Sequence, residues 1–210
     1  MDPLSAISIR SHFDRFPATI KGAFVLGGVD GDPHQVSIAE ARLAPVGGRG
    51  SSIDLAPAIV DVAPGLDVFV PFEFQIADLP PGWYGLECEA AVDGVTATFP
   101  GGKRFCVAWP RAATRRGAVE LGTVLAASGG KITVERVELA GDHSTVHAAV
   151  DPPEPPRLTV RVDGAPLPVL DTTIDEETGR GALTVYPVLR TQAAMRIEVP
   201  GGDGIDIRLP

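Results

Sequence analysis

Carboxylates in two turn-like stretches are the side chains whose type and spacing are best suited to binding a metal ion. The larger group lies in an acidic stretch, residues 171–179, that we expect to form a long loop; its members are Asp171, Asp175, Glu176 and Glu177. A smaller group, Asp30 and Asp32, flanks Gly31. Proteins bind calcium through about six to eight oxygen ligands, many of them loop carboxylates. The larger group is therefore our candidate calcium site.

A glycine-rich stretch, residues 201–206, matches the first six positions of a calcium-binding nonapeptide. That motif binds an ion only when it is repeated, because each ion lies between successive turns of a parallel β-helix. The chain contains one copy, and Arg208 stands where the motif needs an apolar residue. We therefore expect a glycine-rich hairpin turn at this position.

Trp83 and Trp109 are the aromatic residues best placed to bind a ligand. Alternation along the chain assigns Trp83 to the solvent-facing side of a strand, and Trp109 lies close to a predicted linker. An exposed tryptophan can stack on a sugar or anchor a partner protein. The same two side chains could instead cover a junction between domains, and the sequence leaves both interpretations open.

The remaining polar residues do not form a pattern typical of an active site. The chain has no Gly-x-Ser-x-Gly motif, no phosphate-binding loop and no dinucleotide fingerprint. His143 and His147 are four residues apart, and on a strand this spacing separates them by about 13 Å, which is too far for one metal ion. Glu87 and Glu89 lie on the same face of a strand, and neighbouring exposed glutamates on a strand usually face solvent without a catalytic role. We therefore predict no catalytic residues, no cofactor and no enzymatic activity.

Composition excludes several classes of protein. The formal net charge is −9, and this acidity would repel a phosphate backbone, so we expect no nucleic-acid partner. Two cysteines are too few for a disulfide-built scaffold or a four-cysteine zinc site. No apolar run approaches the roughly 18 residues of a membrane span, and no signal peptide is visible. We expect a cytoplasmic protein, although an exported protein without its signal would read the same way.

Alternating residues predict the strands that would position these side chains. In residues 84–92 the apolar side chains Tyr84, Leu86, Cys88, Ala90 and Val92 alternate with Glu87, Glu89 and Ala91, which is typical of a half-buried strand. The dipeptide Asp93-Gly94 that follows favours a two-residue hairpin. This hairpin sets Cys88 opposite Phe99 and away from Cys106, so we expect two free, buried thiols.

Similar patterns extend through the rest of the chain. A second hairpin is expected at Asp163-Gly164, a bulge near Val137, and an edge or a bulge at Pro71, which lacks a ladder donor. In the first half, turn signals separate the predicted strands every 8–12 residues, and the second half repeats the strand pattern, as is typical of antiparallel sandwiches. We predict an all-β protein of two tandem antiparallel β-sandwich domains. The predicted divisions are an N-terminal arm at 1–17, domain 1 at 18–110, a linker at 111–117 and domain 2 at 118–210.

Residues 79–86, with the sequence Leu-Pro-Pro-Gly-Trp-Tyr-Gly-Leu, resemble the turn and penultimate strand of fibronectin-type-III and immunoglobulin-like domains. The resemblance implies an immunoglobulin-like sandwich in which the hydroxyl of Tyr84 bonds back to a nearby backbone group. The second half, around residues 131–147, resembles the immunoglobulin-like domains of bacterial membrane-bound anti-sigma proteins. That resemblance implies a structural module without a ligand.

These observations favour a non-enzymatic interaction or structural module whose partner is another protein. Sandwiches bind through end loops or sheet edges, so the loops at 47–52 and 171–179 are the expected binding regions. A carbohydrate- or calcium-dependent binding module is the first alternative, and a hydrolase with a site between the domains is the second.

Overall fold

The computed structural model describes residues 3–16, 18–47, 51–53, 58–127 and 129–210. These residues form strands, turns and one short 3-10 turn at Pro3–Ser5, with no α-helix among them. None of the described segments is a helix with the length and hydropathy of a membrane span. The protein is therefore all-β, as the alternating patterns predicted. Two compact units, Met1–Val107 and Ala108–Pro210, divide the chain.

The first unit contains two antiparallel sheets. Its strands are β1 (Ile7–Arg15), β2 (Thr19–Gly28), β3 (His34–Pro45), β4 (Ser51–Ile53), β5 (Ala58–Val62), β6 (Asp67–Gln75), β7 (Gly82–Val92) and β8 (Val95–Val107). One sheet has the order β1-β2-β6. In the other, β3, β7 and β8 are neighbours in that order, and β4 and β5 pair with the free side of β3. Buried side chains from both sheets form one core, which makes the unit compatible with a β-sandwich.

The second unit is also built from two antiparallel sheets. Its strands are β9 (Gly117–Ala127), β10 (Gly130–Leu139), β11 (Ser144–Asp151), β12 (Thr159–Val162), β13 (Ala165–Pro166), β14 (Val169–Asp175), β15 (Arg180–Val185), β16 (Ala194–Glu198) and β17 (Gly204–Arg208). The sheet orders are β14-β15-β11-β10-β9 and β13-β12-β16-β17. A second core, separate in sequence from the first, lies between them.

The two cores differ in the kind of side chain that fills them. In the first unit the ring of Phe24 packs 4.9 Å from that of Phe72, and Phe105 contacts both Phe13 and Tyr84. The described core of the second unit contains aliphatic side chains such as Val134 and Ile197, together with Met195. Ring pairs of this kind add stabilisation beyond the area that they bury.

Both predicted hairpins are present. Asp93 and Gly94 have φ values of 49° and 85°, and Asp163 and Gly164 have values of 49° and 83°. Two successive residues with positive φ are the requirement of a type I′ turn, which Asp-Gly satisfies at low cost. The first hairpin sets Cys88 opposite Phe99, as predicted. Neither cysteine forms a disulfide; Cys88 is buried as predicted, whereas Cys106 is only half-buried.

Two further strand predictions are confirmed. Pro71 lies in β6 at the edge of its sheet, where a missing N–H leaves no gap in the ladder. The pairing of β10 with both of its neighbours shifts between Val134 and Arg136, which is the bulge expected near Val137. The bulge turns Val137 back to the buried face, where its exposed fraction is 1%.

The N-terminal segment predicted to be an arm is instead the edge strand β1. Nine residues pair with β2, from Ile7 opposite Gly28 to Arg15 opposite Ile20. Ile7, Ile9 and Phe13 point into the core. Ser11 interrupts the apolar alternation between Ile9 and Phe13, which made the strand pattern too short to recognise.

Two segments predicted to be a loop and a linker also have backbone hydrogen-bond partners. Asp171–Asp175 belong to β14, so the prediction of a loop over residues 171–179 is wrong except for the turn at 176–179. In the predicted linker, Thr114 forms a β-bridge with Leu189, and the N–H of Arg115 donates to the carbonyl of Val188 at 2.9 Å. The segment 111–117 is thus bonded into the second unit along its backbone. Within the predicted loop 47–52, residues 48–50 lie outside the described residues.

Candidate functional site

A groove of about 270 Å³ lies at one end of the second unit, where three connections meet. The first connection is the β9–β10 turn next to Gly129. The second is the proline-rich segment 152–158 between β11 and β12, and the third is the β16–β17 turn at 199–203. The β9–β10 turn belongs to one sheet, the β16–β17 turn belongs to the other, and the proline-rich segment passes between them, so the groove opens at one end of this two-sheet unit. Binding residues of proteins often lie on connections that a rigid set of strands holds in position. The groove is formed at such connections and is therefore our candidate binding site.

The proline-rich segment is held close to the sheet. It contains Pro152, Pro153, Pro155 and Pro156, and proline fixes φ and stiffens an extended chain. Leu158 anchors its far end in the core with 7% exposure. At its near end, a Cβ on Gly130 would overlap the carbonyl oxygen of Asp151 and lie 2.8 Å from Cδ of Pro152. Glycine is therefore required at position 130 for this side of the groove to form.

The groove has an apolar floor and a charged rim. The floor includes three aliphatic side chains: Ile132, Val150 and Val199. The rim carries both signs of charge: Lys131, Asp151, Glu154 and Arg157. The Nζ of Lys131 lies 3.7 Å from an oxygen of Asp151, and both side chains are well exposed. The arrangement suits a ligand group that is apolar in part and charged in part.

The acidic β14–β15 turn, Glu176 to Gly179, adjoins the proline-rich segment. The N–H of Val150 donates to the carbonyl of Gly179 at 2.8 Å, and a Cβ at position 179 would lie 3.8 Å from Pro153. One Asp175 oxygen accepts the N–H groups of Glu177 and Thr178 at 3.0 and 3.2 Å. The Thr178 hydroxyl and these N–H groups hold the pKa of Asp175 below its usual range. Asp175 therefore closes the turn, while Glu176 and Glu177 are exposed to solvent.

The structure does not bring the four calcium candidates together. Asp171 lies four residues before Asp175 on β14, a separation of about 13 Å along a strand. The carboxylate of Asp171 accepts the N–H of Thr172 at 2.9 Å. Among the described residues, no group of three or more His, Cys, Asp or Glu side chains is arranged to hold a metal ion. Calcium binding by Glu176 and Glu177 stays a prediction.

A histidine held between two carboxylates closes one end of the first unit, and sequence reasoning missed it. The Nδ1 of His34 lies 2.6 Å from Asp93, and its Nε2 lies 2.9 Å from Asp30. The second Asp93 oxygen accepts the N–H of Gln35 at 2.9 Å. We call these three side chains, Asp30, His34 and Asp93, the His34 clamp. It joins the β2–β3 connection to the β7–β8 hairpin.

The charges of the His34 clamp support one another. The hydrogen bonds to Asp93 and Asp30 raise the pKa of His34, because both carboxylates stabilise the imidazolium form. The His34 ring in turn lowers the pKa of Asp30 and of Asp93. Of the two carboxylates that flank Gly31, Asp30 therefore serves as a histidine partner. A local signal existed for Asp30, four residues before His34, but Asp93 is 59 residues away in sequence.

The two tryptophans are half-buried and lie in different units. Trp83 lies on β7 opposite Cys106. The ring of Trp109 meets that of Tyr186 edge-on, with centroids 5.7 Å apart. Trp109 belongs to the second unit but is not among the residues that line its groove. A binding role for either tryptophan stays a prediction.

The other side chains considered from the sequence have separate partners. His143 lies 2.9 Å from Asp142, whereas His147 lies 3.7 Å from Glu138. Residues 201–206 cover the second half of the β16–β17 turn and the start of β17, and the N–H of Val199 closes this turn by donating to the carbonyl of Asp203. Burial raises the pKa of the Cys88 thiol to about 12, which keeps it protonated at neutral pH.

The comparisons with known proteins give no family. No protein-family model matches the chain, and no curated protein is similar to it at a significant level.

Proposed function

We propose that the protein is a tandem pair of immunoglobulin-like sandwiches, and that it acts as a non-enzymatic module that binds a partner protein through the groove in its second unit. Strand order supports the fold. Immunoglobulin-like domains pair strands A-B-E-D in one sheet and C-F-G in the other. In the second unit β10-β11-β15-β14 and β12-β16-β17 follow these orders, with β13 beside strand C and β9 as an addition.

The first unit follows the same plan in a shorter form. Its β1-β2-β6 sheet corresponds to A-B-E, and β3-β7-β8 corresponds to C-F-G. The hydroxyl of Tyr84, on the strand equivalent to F, donates to the carbonyl of Pro80 at 2.8 Å. A tyrosine at this corner that bonds to upstream backbone is a mark of the immunoglobulin fold. Both features support the fibronectin-like assignment suggested by residues 79–86.

One observation carries the functional proposal: the connections B–C, D–E and F–G of the second unit converge beside an open groove. In the numbering of this chain they are residues 152–158, 176–179 and 199–203. We call this surface the groove end. In variable immunoglobulin domains the loops at one sandwich end form the binding surface. The groove end has the same placement, and it combines an apolar floor with exposed charges.

The hydrogen bonds of the His34 clamp support a non-enzymatic role. In the His34 clamp, each ring nitrogen of His34 is occupied by a carboxylate. A general base needs a free nitrogen within reach of a substrate proton. The clamp uses both nitrogens to hold two connections together, which is a structural use of the residues.

Site-specific photo-crosslinking in the native host tests the proposal. A benzophenone side chain placed at Arg157 should capture a defined partner protein. The matched control places the same probe at Asp78, an exposed position in the first unit. Capture of the same set of proteins from both positions, or of none from Arg157, would contradict binding at the groove end.

A further inference from the structure

We infer that the groove end recognises a positively charged segment of its partner, one that carries an apolar side chain between basic residues. This inference rests on the proposed function and adds the chemistry of the partner. It follows from three properties of the described residues: the charges left without partners, the floor of the groove, and the net charge of the protein.

Several charges near the groove are already engaged within the protein. Asp151 faces Lys131 at 3.7 Å, and Arg180 faces Glu135 at 3.8 Å. Asp203 accepts the N–H of Ala126 at 3.2 Å. Asp175 is held by backbone N–H groups, as described above. The ion-paired groups offer less to a partner because opposite charges already face each other, and the carboxylates of Asp175 and Asp203 are oriented toward backbone N–H groups of the protein.

The charges that remain are mostly negative. The structure gives no hydrogen bond or ion pair to the carboxylates of Glu154, Glu176 and Glu177 from other described residues, nor to the guanidinium of Arg157. All four side chains belong to exposed residues. The excess of carboxylates makes the groove end attractive to cations, and complementary charge increases both association rate and selectivity.

The floor of the groove adds an apolar requirement. Ile132 and Val199 are buried to 3% and 6% exposure and form a fixed apolar base. Pockets that enclose a whole small molecule have volumes of about 300–1,000 Å³. At about 270 Å³ this groove is at the lower limit of that range, and it is open to solvent. It therefore suits one or two side chains of a larger partner better than an entire cofactor.

A second copy of the chain is a poor occupant. Its net charge is also −9, and a twofold contact would place each groove end against an identical one. The interface would then contain two sets of Glu154, Glu176 and Glu177, and like charges across an interface oppose association. A basic segment of a different protein meets none of this repulsion.

Fluorescence anisotropy with short peptides tests the inference on the full chain. The probe is fluorescein-labelled Gly-Lys-Leu-Lys-Leu-Lys-Gly, and the matched peptides replace every Lys by Gln or every Leu by Gly. We expect the Lys-Leu peptide to bind about tenfold more tightly than the Gln peptide, since each exposed charge pair contributes modestly. Raising the salt from 50 to 300 mM should weaken its binding, because exposed charges are screened.

Charge variants locate the binding. The triple variant Glu154→Gln, Glu176→Gln, Glu177→Gln should lose most of the tenfold preference. The control variant Asp14→Asn, Asp32→Asn, Asp78→Asn changes the net charge equally, in the first unit, and should retain the preference. Equal losses in the two variants, or no preference for the Lys-Leu peptide, would overturn the inference. A crosslinked partner at Arg157 together with no such preference would leave the proposed function standing and reject only the basic chemistry.

Discussion

Six strands follow the same order in the two units: β1-β2-β6 and β3-β7-β8 in the first, and β10-β11-β15 and β12-β16-β17 in the second. The units differ in the connections at one corresponding end. In the first unit, a five-residue connection at 29–33 and the two-residue Asp93-Gly94 turn are drawn together by the His34 clamp. In the second, the corresponding connections are residues 152–158 and 199–203, and a groove lies between them. A short connection that carries carboxylates closes this end of the first unit, whereas a proline-rich connection lies beside the open groove of the second. The connections thus determine whether the end of each unit is closed or open, and with it the proposed binding surface, while the order of the shared strands stays the same.

The cores show the same contrast between shared plan and different content. Aromatic rings fill much of the first core, and aliphatic side chains fill the second. A sheet needs only apolar side chains at alternate positions, so either kind can satisfy the pattern. The difference gives each unit its own response to mutation, and it leads to predictions that compare matched sites.

Core truncations should produce the largest effects. Phe24→Ala removes a fully buried ring that packs against Phe72, and should destabilise the first unit by about 3–5 kcal/mol. Met195→Ala in the second unit, where Met195 is 1% exposed, should cost about 2–5 kcal/mol. Hydrogen exchange followed by mass spectrometry measures the two units separately. A loss of protection spread equally over both units in either variant would show that they do not unfold independently.

A glycine substitution should distinguish the open end from the closed end. Gly130→Ala places a Cβ against the backbone of Asp151 and should destabilise the second unit by about 1–3 kcal/mol. Gly31→Ala, in the connection of the first unit, meets nothing within 4 Å and should change stability by less than about 0.5 kcal/mol. Urea denaturation of the two variants gives the comparison. Similar free energies of unfolding for the two variants would mean that the proline-rich segment shifts at little cost to accommodate the added Cβ.

The His34 clamp should make the stability of the first unit depend on pH. The pKa of His34 is raised in the fold, so its contribution is complete below the unfolded value of about 6.5 and is lost as pH rises through the folded value. The pKa values of Asp30 and Asp93 are lowered. Their contribution is present above the unfolded value of about 3.9 and is lost as pH falls through their folded values.

His34→Gln should remove the part of this pH dependence that comes from His34, namely the loss of stability as pH rises. The difference in melting temperature between the wild type and the variant should be larger at pH 5.5 than at pH 8.5. His143→Gln is the matched control in the second unit, where His143 has one carboxylate neighbour at 2.9 Å. A difference for His34→Gln that is independent of pH would show that the clamp contributes by packing alone.

A smaller effect than that of the core truncations is expected at the tyrosine corner. Tyr84→Phe keeps the ring, which stacks on Phe105 with centroids 5.6 Å apart, and removes the hydrogen bond to Pro80. Loss of one such bond should cost about 0.5–1.5 kcal/mol, confined to the first unit. Tyr84→Leu removes the ring contact as well and should cost more. Equal effects of the two substitutions would assign no separate role to the ring.

Features set by neighbouring residues could be predicted from the sequence. The Asp-Gly hairpins, the bulge near Val137 and the pairing of Cys88 with Phe99 follow from turn chemistry and alternation over a few positions. β1 was missed because Ser11 breaks its alternation. β14 was missed because acidic residues favour a loop over a strand, and here the pairing with β15 overrides that preference.

The candidate site depended on contacts between distant residues, which a single sequence does not show. The His34 clamp joins positions 30, 34 and 93, and Asp93 looked like a turn residue only. The groove joins residues from 127 to 200 that carry no common motif. The sequence did direct attention to the acidic turn that contains Glu176 and Glu177. It gave no sign that the proline-rich segment lies beside that turn.

Residue-resolved hydrogen exchange at pH 6 tests most directly whether the His34 clamp closes the end of the first unit while the groove end of the second unit stays open. The account predicts slow exchange for the amides of Gln35 and Asp93, each of which donates to the other residue at 2.9 Å, and faster exchange for them in His34→Gln. It predicts fast exchange for the amides of Glu154 and Arg157 in both proteins. Protection of Glu154 and Arg157 equal to that of Gln35, or no change at Gln35 in His34→Gln, would contradict it.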